Sequence, residues 1–228
     1  MSDTSAWWQS KKPRTKARND DQAERSCHQM NIEQDRLAQT LQKVDELDQQ
    51  DPNKELVGGR EEPRELIYSK RLSDWVLKLN PNASEILKIA ARGQHIQRWM
   101  IPRDRYPQTR IGYLQWREEL KKFHAQKVSE IMQKTGYPDD AIQKASSIIL
   151  KKNLRTDPDA QTIEDALCLL FLEIQFEDLK QKTHDEKMRE IVRKTWKKMS
   201  PRAQKLALSL PLSEPTKHFL QKTLATTS

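Results

Sequence analysis

The run Ala166–Leu172 carries no polar side chain, and it lies in a segment whose apolar residues cover nearly every side of a helix. Such a helix has to be wrapped by amphipathic partners, and the rest of the chain supplies them. Asn31 with Gln34 resembles a capping box, behind which Leu37, Leu41 and Val44 form the stripe of a first helix that stops before Asp51-Pro52. Pro63 opens a second helix, with Tyr68, Leu72, Trp75, Val76 and Leu79 on one stripe and Asn80-Pro81 at its end. Asn82 with Glu85 restarts a third, running to about Trp99, and the proline-bearing stretch Ile101–Pro107 is a loop. A fourth helix covers about Thr109–Lys134, a fifth carries Ala141 to Ile149, and the apolar sixth spans about Gln161–Lys180. Met188, Ile191, Val192, Thr195 and Met199 mark a seventh, Ser200-Pro201 opens an eighth, and a ninth follows Pro215. With no repeat and no strand signal, the expectation is an all-α bundle of eight or nine helices in one domain, residues 30–228.

Composition separates the first residues from that domain. No Leu, Ile, Val or Phe occurs before Met30, so residues 1–29 cannot offset their ordering entropy and read as a disordered basic tail. The run Lys11–Arg18 within it fits either a nuclear-import signal or a solvated tail. No apolar run approaches the roughly 20 residues a bilayer span needs, and no secretory h-region follows Met1. Cys27 and Cys168 make neither a disulfide framework nor a zinc knuckle. The expectation is a cytoplasmic or nuclear protein without membrane partners, whose net charge of +8 favours anions.

Three polar side chains fall on apolar helical faces. His95 is in line with Leu87, Ala91 and Trp99, His124 lies between Leu120 and Val128, and Asp165 shares a stripe with Leu169, Leu172 and Phe176. A buried carboxylate is costly unless it is paired or bound to a cation. Two inward imidazoles and an inward carboxylate are therefore the parts of a divalent-metal site, His95, His124 and Asp165 being the candidate ligands. The alternative is that the histidines complete the core and Asp165 serves near a helix N-terminus.

Between the two histidines lie Arg98, Arg103, Arg110 and Arg117, whose planar forks suit a phosphate, or which pair with Asp104, Glu118, Glu119 or Glu164. A second basic concentration, Lys180 to Lys205, reads as a solvated face or an RNA surface. The Trp residues at 75, 99, 116 and 196 read mostly as core, not as stacking platforms interleaved with basic residues.

The strings Gln94-His95-Ile96-Gln97-Arg98-Trp99, Arg110-x-Gly112-Tyr113-x-x-Trp116-Arg117, Phe123-His124, Ile163-Glu164-Asp165-Ala166 and Lys194-Thr195-Trp196 resemble the family called domain of unknown function 4202, over residues 30–225. More distantly, His95, His124 and Glu164-Asp165 are similar to metal-ligand positions of the HD-domain phosphohydrolases, although Ile96 stands where that family's doublet has Asp. That resemblance implies a helical, metal-dependent hydrolase with Asp165 and Glu164 as its catalytic carboxylates. The string Lys198-Met199-Ser200 is similar to the signature of class I aminoacyl-tRNA synthetases, but no nucleotide-binding parallel sheet accompanies it, and Ser200 as a helix cap before Pro201 explains it.

Two functions follow as expectations. One is a metal-dependent phosphohydrolase acting on a nucleotide or another phosphate ester, with a divalent ion at His95, His124 and Asp165. The other is a non-catalytic helical module that binds an anion, a nucleotide or RNA.

Overall fold

Ile163, Ala166, Leu169 and Leu170 have no exposed surface, and all four lie on one helix, Pro158–Leu170. The computed structural model describes residues 33–154 and 156–225. The chain divides into two compact units, residues 1–38 and 39–228. Of the first, only 33–38 is described, and it is helical. The basic run Lys11–Arg18 and the expected tail lie outside the described residues.

The elements are a helix over 33–48 (α1), a two-stranded hairpin (β1 Lys54–Val57, β2 Arg60–Pro63), then α2 Arg64–Leu79, α3 Glu85–Arg92, α4 Arg110–Lys134, α5 Asp139–Ile149, α6 Pro158–Leu170, α7 Phe176–Gln181, α8 Asp185–Trp196, α9 Pro201–Leu208 and α10 Glu214–Ala225. The protein is mostly helical, as its composition predicts. Leu66, Leu72 and Val76 of α2, Leu87 and Ile89 of α3, Val128 and Met132 of α4 and Ile148 and Ile149 of α5 complete the core around α6. In this packing α2 lies on α6 and α3, and α5 on α3, α4 and α6.

Local chemistry sets the boundaries. Ser84, not Asn82, caps α3 by accepting from the Leu87 N–H, and Thr109 caps α4 by accepting from that of Gly112. Asp157 caps α6 with Pro158 in its first turn, one turn ahead of the expected start at Gln161. Ser200 caps α9, as its sequence context predicts.

Three expectations are corrected. The hairpin was invisible because β1 and the first half of β2 are exposed and lack alternating patterning; Gly58 and Gly59, both at positive φ, close it. The apolar sixth helix is interrupted by a π-helical segment, Phe171–Gln175. The third helix ends at Arg92, not Trp99, and His95 therefore lies in a turn beyond it.

Candidate functional site

The turn after α3 is shaped by a close approach. A Cβ at Gly93 would lie 2.2 Å from Val128 Cγ2, so only glycine lets α4 pack this tightly on the end of α3. The chain then folds back through Gln97, a non-glycine residue at φ +50°. Asp48, at the end of α1, holds it there by accepting the Gln97 N–H at 2.9 Å. His95 and Arg98 flank this strained residue. A second pair of non-glycine residues at positive φ, Lys151 and Asn153, follows α5. Backbone strain of this kind concentrates at functional sites, and the charge of Lys151, like that of Arg98, bears on His95.

His124 is buried on α4, with its Nδ1 2.8 Å from the Ile96 carbonyl oxygen. A carbonyl can only accept, so Nδ1 carries the proton and Nε2 carries a lone pair. That Nε2 is buried and has no hydrogen-bond partner. The His95 ring lies beside it at a centroid distance of 6.0 Å and stacks on Tyr68 at 4.4 Å, nearly parallel. Glu65 Oε2 is 3.7 Å from His95 Nδ1 and makes no hydrogen bond of its own.

Burial drives the ionisation of this group. It holds His95 well below the usual imidazole range, helped by the cations Arg98, Lys151, Arg117 and Arg64. His124 is held down by burial and then by His95 and Arg98, so both rings are neutral at neutral pH. Burial raises the Glu65 carboxyl to about 7 against the pull of Arg98 and Arg64. Asp48 is raised to about 7 as well, by burial and by Glu65, Asp45 and Asp51, against the Gln97 hydrogen bond.

The arginines are not paired off as the alternative expectation had it. Arginine–carboxylate pairs do form elsewhere, at Arg64–Glu55, Arg92–Asp45 and Arg193–Glu186. Arg98 instead lies 4.8 Å over the Trp116 ring, and Arg117 lies 5.8 Å over that of Tyr113. Arg103 reaches both rings but donates to the Tyr106 and Pro107 carbonyls, which makes it a brace for its loop. Gly112 completes that brace, since a Cβ there would meet the Pro107 carbonyl oxygen at 2.3 Å. Arg110 is exposed in the first turn of α4. Trp116 is thus interleaved with arginines, contrary to its reading as core.

The carboxylates of α6 have other work. Glu164 is buried and pairs with Lys151 and, at 3.2 Å, with Lys198. Burial pushes its carboxyl up, but the two lysines outweigh this and hold it below the ordinary range. Asp165 does not join the histidines. Its Oδ1 accepts from the Ser200 N–H and the Gln161 amide, both at 2.8 Å, and its Oδ2 from the Ser200 hydroxyl. Three donors satisfy it, which removes the reason for giving it a cation.

Among the described residues no three His, Cys, Asp or Glu side chains gather where they could hold one ion. The charges bearing on His95 from Arg98, Lys151, Arg117 and Arg64 are also of the wrong sign for a cation. The same charges suit an anion. Glu65, Tyr68, Lys151 and Tyr113 are the members that sequence reasoning missed. Glu65 carried a usable signal, since it precedes Tyr68 by three residues and Leu72 by seven and so shares their apolar stripe.

Elsewhere the basic residues of α8 pair locally, Lys187 and Lys194 with Glu190 and Arg193 with Glu186, as on an ordinary solvated face. Cys168 is buried, and burial first, then Glu164, raises its thiol to about 12. Among the described residues no helix is long and apolar enough to cross a membrane.

This helical scaffold, with its imidazole pair under a rim of arginines, belongs to a defined family: residues 38–220 match the model described as domain of unknown function (DUF4202), and the chain is a member of that family. No curated protein and no solved structure matches the chain. The looser likeness to the HD phosphohydrolases is not confirmed there; His95 lies in a turn beyond α3, and Asp165 holds Ser200, the cap of α9.

Proposed function

We propose that the chain binds a phosphate ester of a small molecule at Arg98, Arg117 and Lys151 and hydrolyses it with His95 as general base. One observation carries the reading: two neutral imidazoles, one with an unpartnered buried lone pair, stand in the field of Arg98 and Arg117, which among the described residues form no salt bridge. Guanidinium forks match phosphate oxygens and stabilise charge as it develops on them. Neutral imidazole is the form able to take a proton.

In the step this supports, a water oxygen forms a bond to phosphorus while its proton passes to His95 Nε2. The ester P–O bond breaks, and the leaving alkoxide takes a proton from solvent. Ionised Glu65, 3.7 Å from His95 Nδ1, favours the proton on that nitrogen and so keeps Nε2 free; His124 Nε2 accepts the second O–H of the attacking water. The donor set calls for no metal in this step.

The test is calorimetric titration with inorganic phosphate, together with phosphate release from p-nitrophenyl phosphate in the presence and absence of EDTA. Saturable binding is expected, weakened about tenfold or more by Arg98→Met or Arg117→Met. Release is expected to survive EDTA and to be lost in His95→Gln. Absence of binding overturns the whole reading, and binding without release overturns its hydrolytic half. Release that EDTA abolishes and a divalent ion restores returns the function to metal chemistry.

A further inference from the structure

On α4, Tyr113, Arg117, Leu120, His124 and Val128 follow one another at steps of four, three, four and four residues and so share one face. Leu120, His124 and Val128 are buried, whereas Arg117 is exposed and Tyr113 keeps 41 % of its surface open. The stripe that carries His124 into the core thus runs outward past the phosphate-binding arginine to an exposed aromatic ring. Arg98 joins the two ends, acting electrostatically on Glu65 and Tyr68 within and on Tyr113 and Arg117 without.

The Tyr113 ring is tilted against Trp116 at 5.9 Å, and its phenol oxygen lies 3.4 Å from Arg117 Nη1. Arg117 and Arg103 stand over the ring at 5.8 and 6.0 Å from its centroid, the outer limit of a cation–π contact, and 41 % of the residue stays exposed. Along the helix Tyr113 lies one turn outward of Arg117, about 6 Å of rise. A group linked to the bound phosphate by a short spacer such as one sugar would arrive at that ring. Ile111 and Leu114, exposed on the same turn, offer it no hydrogen bonds. A planar base can stack here, and any base has a face to offer.

We infer that the phosphate ester is a nucleoside monophosphate and that Tyr113 is the stacking subsite for its base. This rests on the phosphate-binding reading above and names the substrate class for the same site. The base lies on Tyr113, the sugar spans the turn of helix, and the phosphate lies between Arg117 and Arg98. Tyr113 takes no part in the chemical step; it determines which esters are held.

The experiment compares AMP, UMP, ribose 5-phosphate and inorganic phosphate by calorimetry on the full chain, on Tyr113→Leu and on Tyr113→Phe. The unmodified chain is expected to bind the nucleotides about tenfold more tightly than ribose 5-phosphate. Tyr113→Leu removes that difference, bringing the nucleotides down to the affinity the same variant shows for ribose 5-phosphate, and Tyr113→Phe retains it. Equal affinities in the unmodified chain, or a preference that survives Tyr113→Leu, overturn the subsite while phosphate binding stands. Failure of all four ligands to bind overturns both readings.

Discussion

The imidazole of His124 gives its Nδ1 proton to the Ile96 carbonyl oxygen at 2.8 Å, and that contact decides what the ring can do. It commits the donor to the backbone of the turn carrying His95 and leaves Nε2 as a buried acceptor. In nitrogen-15 correlation spectra His124 is therefore expected as the Nδ1–H tautomer, and it should stay neutral well below pH 6.5, because burial and the neighbouring His95 and Arg98 hold its proton affinity down. An Nε2–H tautomer, or titration near the ordinary imidazole value, would contradict the assignment.

Glu65 gives the proposed hydrolysis a pH dependence of definite sign. Its carboxyl ionises at about 7, and the ionised form, 3.7 Å from His95 Nδ1, favours the proton on that nitrogen and stabilises the imidazolium that forms when Nε2 takes a proton. Phosphate release, followed as kcat/KM, should rise as pH passes upward through about 7. Glu65→Gln should flatten that rise and lower the plateau by about 10²-fold, in the range of general-base effects. A rise of the same shape in Glu65→Gln would assign it to another group.

Asp48 has the opposite meaning for stability. Its folded-state pKa, about 7, lies above the unfolded value of 3.8, so the folded state binds the extra proton between them. Its contribution is fully present below the unfolded value and is lost as pH rises through about 7. The Oδ1 that accepts from Gln97 survives in Asp48→Asn, while the buried charge beside Glu65, Asp45 and Asp51 is removed. Denaturant unfolding at pH 8.5 should show Asp48→Asn more stable than the unmodified chain by roughly 2–4 kcal/mol, the advantage vanishing near pH 4. Loss of stability at pH 8.5 would mean that the charge is compensated.

The helical scaffold was legible because caps, prolines and apolar stripes are local signals. The site was only half legible, for two reasons. His95 was found by a stripe that ends before it: Leu87 and Ala91 are helical, but Gly93 starts a turn, and the ring reaches the interior by another route. Asp165 was correctly read as inward, yet its partner is Ser200, 35 residues along the chain, and helical spacing says nothing about such a neighbour. Asp48 shares a stripe with Leu41 and Val44, and Glu65 one with Leu72, so the rule that singled out Asp165 would have found both. The arginine–aromatic rim depends on how the loop Ile101–Pro107 folds back on α4, which no periodicity encodes.

Asp165 separates the two accounts of the chemistry. Its carboxylate accepts two hydrogen bonds from Ser200 and one from Gln161, and holds the Ser200 turn at the start of α9. Replacing it in Asp165→Ala leaves the half-buried Ser200 N–H and hydroxyl without their acceptor, a loss of about 1–3 kcal/mol in unfolding free energy. Ser200→Ala should remove part of the same stability, and the double variant should cost less than the sum, since both residues belong to one network. Phosphate affinity measured well below the midpoint of unfolding should stay within about twofold of the unmodified chain. If Asp165 were instead a metal ligand, Asp165→Ala would abolish release while Ser200→Ala left it intact, and the comparison of those two variants decides between a cap and a catalytic carboxylate.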